Sequence, residues 1–184
     1  VVPSTPLDGL DSSQAEMMEE LVLCLDSDDN VIDSSSKFTT HHGEGILHRA
    51  FSVLIFDSEG RLLVQQRSSD KITFPAVWAN SCCSHPLDID GENDDPIEGV
   101  KEAARRKLDQ ELGIPRTITN DWKFNHIGRF EYKCRWDSDW VEHEIDHVLI
   151  VEADCEVDFN RNEIQSVDWL DNDSLIRMME RKGR

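Results

Sequence analysis

The sequence predicts an α+β fold, and three observations carry that expectation. Most apolar residues fall in short runs bounded by turn residues, the pattern of strands. Among them lies one strongly amphipathic helical stretch, Ile97 to Gly113. The chain has 184 residues and 38% apolar content, enough for one domain with a sizeable core, and it carries no internal repeat.

In chain order, residues 1–20 read as a flexible lead-in whose start is rich in Pro, Ser and Asp, followed by a single domain over 21–184. Leu21 to Leu25 is a strand, Asp26 to Asn30 a turn, Val31-Ile32 the return arm of a hairpin, and Asp33 to Thr40 a polar loop. Leu47 to Phe56 is a buried strand. The turn Asp57 to Gly60 joins it to Arg61 to Arg67, so these two are expected to pair as a hairpin. Pro75 to Asn80 is irregular or a short strand, and Pro86 to Asp95 is an acidic loop. In the helix, Ile97, Val100, Ala104, Leu108 and Leu112 form the apolar stripe, and Gly113 is placed to end it with Pro115 beyond. Strands are expected at Trp122 to Tyr132 and Glu142 to Glu152, and a last helix near Asp171.

The formal charge of -19 argues against nucleic acid or an anionic membrane as partner, since both need a cationic surface. An anionic small substrate would need clustered local cations. No run approaches the ~20 apolar residues of a membrane span. Five cysteines without a disulfide framework suit a reducing compartment. The cytoplasm is therefore expected, with peroxisome or plastid left open because the chain begins at Val1 rather than methionine. Nothing in the sequence bounds the oligomeric state.

Three segments carry candidate chemistry. His41 and His48 flank a glycine-containing hinge, His85 follows Asn80-Ser81-Cys82-Cys83-Ser84, and Glu142-His143-Glu144 points two carboxylates to one face of a strand. Three imidazoles with Glu142 and Glu144 make a candidate divalent-metal site, a donor set better suited to Zn²⁺, Mn²⁺ or Fe²⁺ than to Mg²⁺. A lone histidine needs no such explanation; His143 should face away, and His126 and His147 show no partner pattern. Cys83 has polar neighbours and is the candidate acid, base or nucleophile. Cys82 would point the other way and reads as a small buried hydrophobe. Arg67 and Lys71, with Lys37 from the loop before His41, are solvated cations or a diphosphate-binding set. Taken alone, Arg105 to Ile114 is a helix end with a solvated charged face.

That helix end nevertheless resembles the Nudix box. Arg106, Leu108, Glu111, Gly113 and Ile114 match, Glu98 stands at the upstream glutamate, and Gly91 is one position off. Lys107 and Gln110 replace two acids, so the resemblance implies diphosphate binding through Mg²⁺ on Glu111 rather than efficient hydrolysis. Leu47 to Ser52, Gln65 to Ser68, Lys71 to Pro75, Asn80 to Pro86, Glu111 to Pro115 and Glu142 to Asp146, in that order, resemble the type I isopentenyl-diphosphate Δ-isomerases of the Nudix superfamily.

The resemblance implies a Nudix-like fold, with a mixed β-sheet packed between helices. It implies an isomerase that interconverts isopentenyl and dimethylallyl diphosphate. One divalent metal (Zn, Mn or Mg) would be held by His41, His48, His85, Glu142 and Glu144, with His42 as the alternative to His41. Cys83 and Glu144 would be opposed acid/base groups, assisted by Tyr132. A Mg²⁺ would bridge Glu111 and the substrate diphosphate, aided by Lys37, Arg67, Lys71 and Lys107. Phe51, Trp78 and Tyr132 are candidates to face a carbocation. The family pattern also includes a C-terminal Thr-Pro-Trp segment, and nothing before Arg184 matches it. The alternatives are a Nudix hydrolase of a nucleoside diphosphate derivative, disfavoured by Lys107 and Gln110, and a non-catalytic metal- or diphosphate-binding domain.

Overall fold

Residues 7, 9 and 11–180 are described by the computed structural model. The elements are α1 (Ser12–Met17), β1 (Leu21–Leu25), β2 (Val31–Ser36), α2 (Lys37–His41), β3 (His48–Phe56), β4 (Leu62–Arg67), β5 (Trp78–Ala79) and β6 (Cys82–Ser84), then α3 (Pro96–Leu112), α4 (Arg116–Thr119), β7 (Asn125–Arg135), β8 (Val141–Glu152), β9 (Ile164–Leu170) and α5 (Asn172–Glu180).

β3 organises the sheet. Along one edge it pairs in parallel with β8 over its whole length, and β8 pairs antiparallel with β7. Its other edge meets three partners in succession: β1 at His48, β6 at Phe51 to Val53, and β4 at Phe56. The hairpin expected between β3 and β4 is thus reduced to the single pair Phe56–Leu62, and β4 instead pairs with β9. β9 was not expected. Its central residues are exposed or half-buried, so no apolar run marks it. β2 runs on to Ser36, and α2 occupies the remainder of the expected loop. β2 hides little surface, so its Ser-rich end shows no alternation of apolar and polar residues.

The strong helix forms where its periodicity put it. Asp95 caps it by accepting from the Ile97 and Glu98 amides, Pro96 opens the first turn, and Gly113 closes it at φ 66°. Val100, Ala103, Ala104, Leu108 and Leu112 are fully buried against the sheet, whereas Ile97 is 38% exposed and does not belong to the stripe. The opposite sheet face packs Leu62, Val64 and Leu170 beneath Leu175 and Met178 of α5. The sheet is mixed and lies between helices, as expected.

Gly113 is required twice over. Its left-handed backbone disfavours a side chain, and a Cβ there would stand 2.2 Å from the Asp158 carbonyl oxygen. Gly113→Ala is expected to destabilise the fold by about 2 kcal/mol or more, read from denaturant midpoints.

Part of the expected lead-in is helical. Residues 1–6, 8, 10 and 181–184 lie outside the described residues, but residues 12–17 fold as α1, with Gln14 and Met18 buried. Asp11 caps this short helix by accepting from the Ser13 and Gln14 amides.

Candidate active site

Sheet register assembles the site. Parallel pairing sets His48 of β3 opposite Glu144 of β8, and antiparallel pairing sets Tyr132 of β7 on the other side of Glu144. β6 sets Cys83 opposite Ser52. Because β6 and β8 flank β3 on opposite edges, Cys83 and Glu144 enter one cavity of about 330 Å³ from two sides. Phe51, Ser52 and Asp146 line it too, as do Lys37, Arg67, Lys71, Lys107 and Glu111.

His41, His48, His85 and Glu144 gather into one buried cluster whose ligating atoms lie within 4.8 Å of one another. The Nε2 atoms of His41, His48 and His85 stand 3.9, 3.5 and 2.8 Å from Glu144 Oε1. His41 Nδ1 lies 2.8 Å from the Lys37 carbonyl and His48 Nδ1 2.7 Å from the Ile46 carbonyl. Those contacts place the proton on Nδ1 and turn the Nε2 lone pair inward, the usual second-layer arrangement of metal-binding imidazoles. His48 Nε2 is buried without any hydrogen-bond partner.

Burial lowers His41 well below its ordinary range and His85 to about 4, so both rings are neutral at pH 7. Burial would raise Glu144, but the adjacent His48 and His85 rings outweigh it and hold the carboxyl well below its usual range. Three imidazole nitrogens gathered around one carboxylate oxygen fit a divalent cation. Arg106 braces the set by donating to the His85 carbonyl while bound to Glu92 at 2.7 Å.

Glu142 lines the same cavity beside the four-residue cluster; its carboxylate accepts from Tyr132 Oη at 3.1 Å, and burial beside Glu144 raises it to about 7. Trp78 is not among the cavity-lining residues and packs against Leu62, Val64 and Leu170. Of the adjacent histidines, His41 belongs to this cluster, whereas His42 stacks on Phe38.

Alternation separates the two cysteines. Cys82 is fully buried, with its thiol 3.8 Å from Glu111 Oε2, while Cys83 lines the cavity. Burial raises Cys83 to about 12, which keeps it a protonated thiol. Tyr132 donates to Glu144 Oε2 at 2.6 Å. Asp146 and Ser52 were not anticipated. Ser52 Oγ donates to Asp146 Oδ2 at 2.7 Å, and Asp146 continues the i, i+2 carboxylate row, a signal present in Glu142-His143-Glu144-Ile145-Asp146.

The cations converge, each already engaged. Arg67 donates to the Thr73 and Phe74 carbonyls, which shapes the loop carrying Lys71. Lys37 pairs with Glu20 at 3.0 Å, Lys71 with Glu163 at 2.7 Å and Lys107 with Glu111 at 3.0 Å. Lys107 and Glu111 are buried, so this end of the helix does not present them to solvent. The upstream glutamate assigned to Glu98 is exposed beside Lys101; the buried partner of Arg106 is Glu92. His147, without an apparent partner in the sequence, bonds Asp29 at 3.0 Å and His126 at 3.1 Å; buried Arg49 and exposed Arg129 also pair with Asp29. Among the described residues, no helix is long and apolar enough to cross a membrane.

A family model described as the NUDIX domain matches residues 46–184. An isopentenyl-diphosphate delta-isomerase of Gibberella zeae is 43% identical over 96% of this chain and 73% of its own length. The chain belongs to this isomerase family. The Bos taurus isopentenyl-diphosphate Delta-isomerase 1 is 40% identical over 97% of the chain and 81% of its own length. Among solved structures, a Deinococcus radiodurans protein has a TM-score of 0.65 at 18% identity, covering 89% of this chain and 90% of the other. A NUDIX hydrolase of Alicyclobacillus acidocaldarius has a TM-score of 0.56 at 11% identity, covering 74% and 84%. At such identities the structural likeness is one of fold, whereas membership of the isomerase family follows from the sequence relatives. Within that family's NUDIX frame, Lys107 occupies the space beside Glu111 with an ammonium group.

Proposed function

We propose that this protein interconverts isopentenyl diphosphate and dimethylallyl diphosphate, as the names of its relatives indicate for them. The observation that carries the reading is the entry of Cys83 and Glu144 into one cavity from strands on opposite edges of β3. Allylic isomerisation adds a proton to the terminal alkene carbon, giving a tertiary cation, and removes one from the carbon on its other side. Two acid/base groups on separate sides of the substrate meet that demand, and they exchange roles in the reverse direction.

Cys83 is one such group, and Glu144 is the other. Tyr132 holds Glu144 in orientation and presents its ring to the same cavity. Phe51, fully buried, offers an aromatic face to the cation, and the enclosing walls keep water away from it. Lys37, Arg67, Lys71 and Lys107 bind the diphosphate.

His41, His48, His85 and Glu144 would hold one divalent ion, and their donor set favours Zn²⁺ or Mn²⁺ over Mg²⁺. Bound there, the ion supplies positive charge that fixes the Glu144 carboxylate and tunes its basicity. Glu142, hydrogen-bonded by Tyr132, stands ready to complete the coordination. Glu111 would share a Mg²⁺ with the diphosphate.

Incubation with isopentenyl diphosphate tests the reading. Dimethylallyl diphosphate as product supports it; release of inorganic phosphate indicates a hydrolase, and no product indicates a binding domain.

Glu111→Gln should raise the Mg²⁺ concentration needed for half-maximal rate. Because it leaves Lys107 buried without its counter-charge, it should also cost about 3 kcal/mol of stability. Superimposable Mg²⁺ titrations for wild type and variant would remove Glu111 from this role.

A further inference from the structure

We propose that Glu163 is a positioning residue for the diphosphate end of the cavity, aiming the Lys71 ammonium and tying it to helix α1 through Gln14. The inference rests on the isomerase reading only in so far as Lys71 meets a diphosphate.

Glu163 is 4% exposed and stands behind Lys71, which lines the cavity while Glu163 does not. Its two carboxylate oxygens are divided between two partners: Oε2 accepts from Lys71 Nζ at 2.7 Å and Oε1 from Gln14 Nε2 at 2.8 Å. Its backbone carbonyl accepts from the Ser68 amide at 2.9 Å, which anchors the start of the loop that carries Lys71. An ammonium has three donors, so one bond to Glu163 leaves two for phosphate oxygens. A lysine stem is flexible, and ordering it before the ligand arrives reduces the entropy lost on binding.

The same carboxylate reaches α1. Gln14 also donates to Asn162 Oδ1 at 2.7 Å, and Asn162 donates to the helix cap Asp11 at 3.0 Å. Gln14, Met17 and Met18 line the cavity. Just beyond α1, the Glu20 carbonyl accepts from the Lys37 amide at 2.8 Å, and the Glu20 side chain pairs with the Lys37 ammonium. Two cavity lysines are thus held by carboxylates on or gripped by the α1 segment. The charges of Lys71 and Lys107 outweigh burial and keep Glu163 ionised, at about 2.

Simple electrostatics predicts the opposite sign for removal of Glu163. An acid near a diphosphate site lowers the local positive potential, so on that ground Glu163→Gln should tighten binding. The positioning role predicts weaker binding. The experiment uses the full chain with its metals, and measures kcat and KM for isopentenyl diphosphate beside calorimetric binding of inorganic diphosphate with Mg²⁺.

For Glu163→Gln, KM should rise about tenfold and diphosphate affinity fall in parallel, with kcat changed less than about twofold. Gln14→Ala, which leaves the carboxylate in place, should raise KM by a smaller factor, about threefold. An unchanged or lower KM in Glu163→Gln overturns the proposal. So does a fall in kcat alone. If Glu163→Gln does not fold, an unchanged KM in Gln14→Ala overturns it equally. Wild-type protein that binds inorganic diphosphate but does not isomerise would sink the isomerase reading while the diphosphate-binding comparison still decides this one.

Discussion

Cys83→Ser is expected to lower kcat for isopentenyl diphosphate by about 10³-fold, within the range for removal of a positioned acid/base group. The substitution keeps the approximate shape but replaces the thiol with a hydroxyl, a weaker acid that gives up its proton less readily and supplies almost no alkoxide at neutral pH to serve as the base. Burial raises the thiol to about 12, so it stands protonated in the cavity. Cys82→Ala supplies the contrast. That thiol faces the core beside Glu111, so its loss should cost about 1 kcal/mol of stability and only a few-fold in rate. Equal losses from the two variants would contradict the alternation that distinguishes them. Retention of near-wild-type kcat by Cys83→Ser would remove the cysteine from the chemistry.

His48→Asn should release the tightly held metal and, with it, both activity and stability. The ring is fully buried, and its inward nitrogen has no other partner. Metal binding ties α2, β3, β8 and the segment after β6 together, so it stabilises the native state by mass action. With free ion at about a thousand times its dissociation constant, that linkage is worth about 4 kcal/mol, or roughly a 10 °C shift in Tm at this chain length. Mass spectrometry of wild-type protein never exposed to chelator should find about one transition-metal ion per chain, and the variant should carry none. Chelator-treated wild type should melt where the variant melts. Metal-free wild type with an unaltered Tm would eliminate the centre.

The sequence was most legible where structure is local. Helix α3 could be read because Asp95, the apolar stripe and Gly113 encode its start, face and end within one segment. The choice of Cys83 over Cys82 followed from strand alternation, and the cavity respects it. The fold family and most of the metal-binding set were legible by resemblance, through short motifs whose residue types are unusual together. Where a strand hides little surface, as β2 and β9 do, no periodic signal was available to read.

By itself, then, the sequence determined the fold class, the strong helix, most strands, and His48, His85, Cys83 and Glu144 as candidate chemistry, with His41 and His42 left as alternatives. Tertiary structure alone decided how they meet. The parallel pairing of β3 with β8 joins His48 to Glu144, partners far apart in the chain, and its register is set by which faces can be buried. It also put Glu142 outside the four-residue cluster and turned Trp78 away from the cavity. Each cavity lysine received its own carboxylate: Glu20, Glu163 and Glu111. Lys107 and Glu111 are an i, i+4 pair on one helix, but the other two pairings cannot be read along the chain, because a buried charge selects its partner by proximity in three dimensions, where desolvation makes an unpaired charge costly.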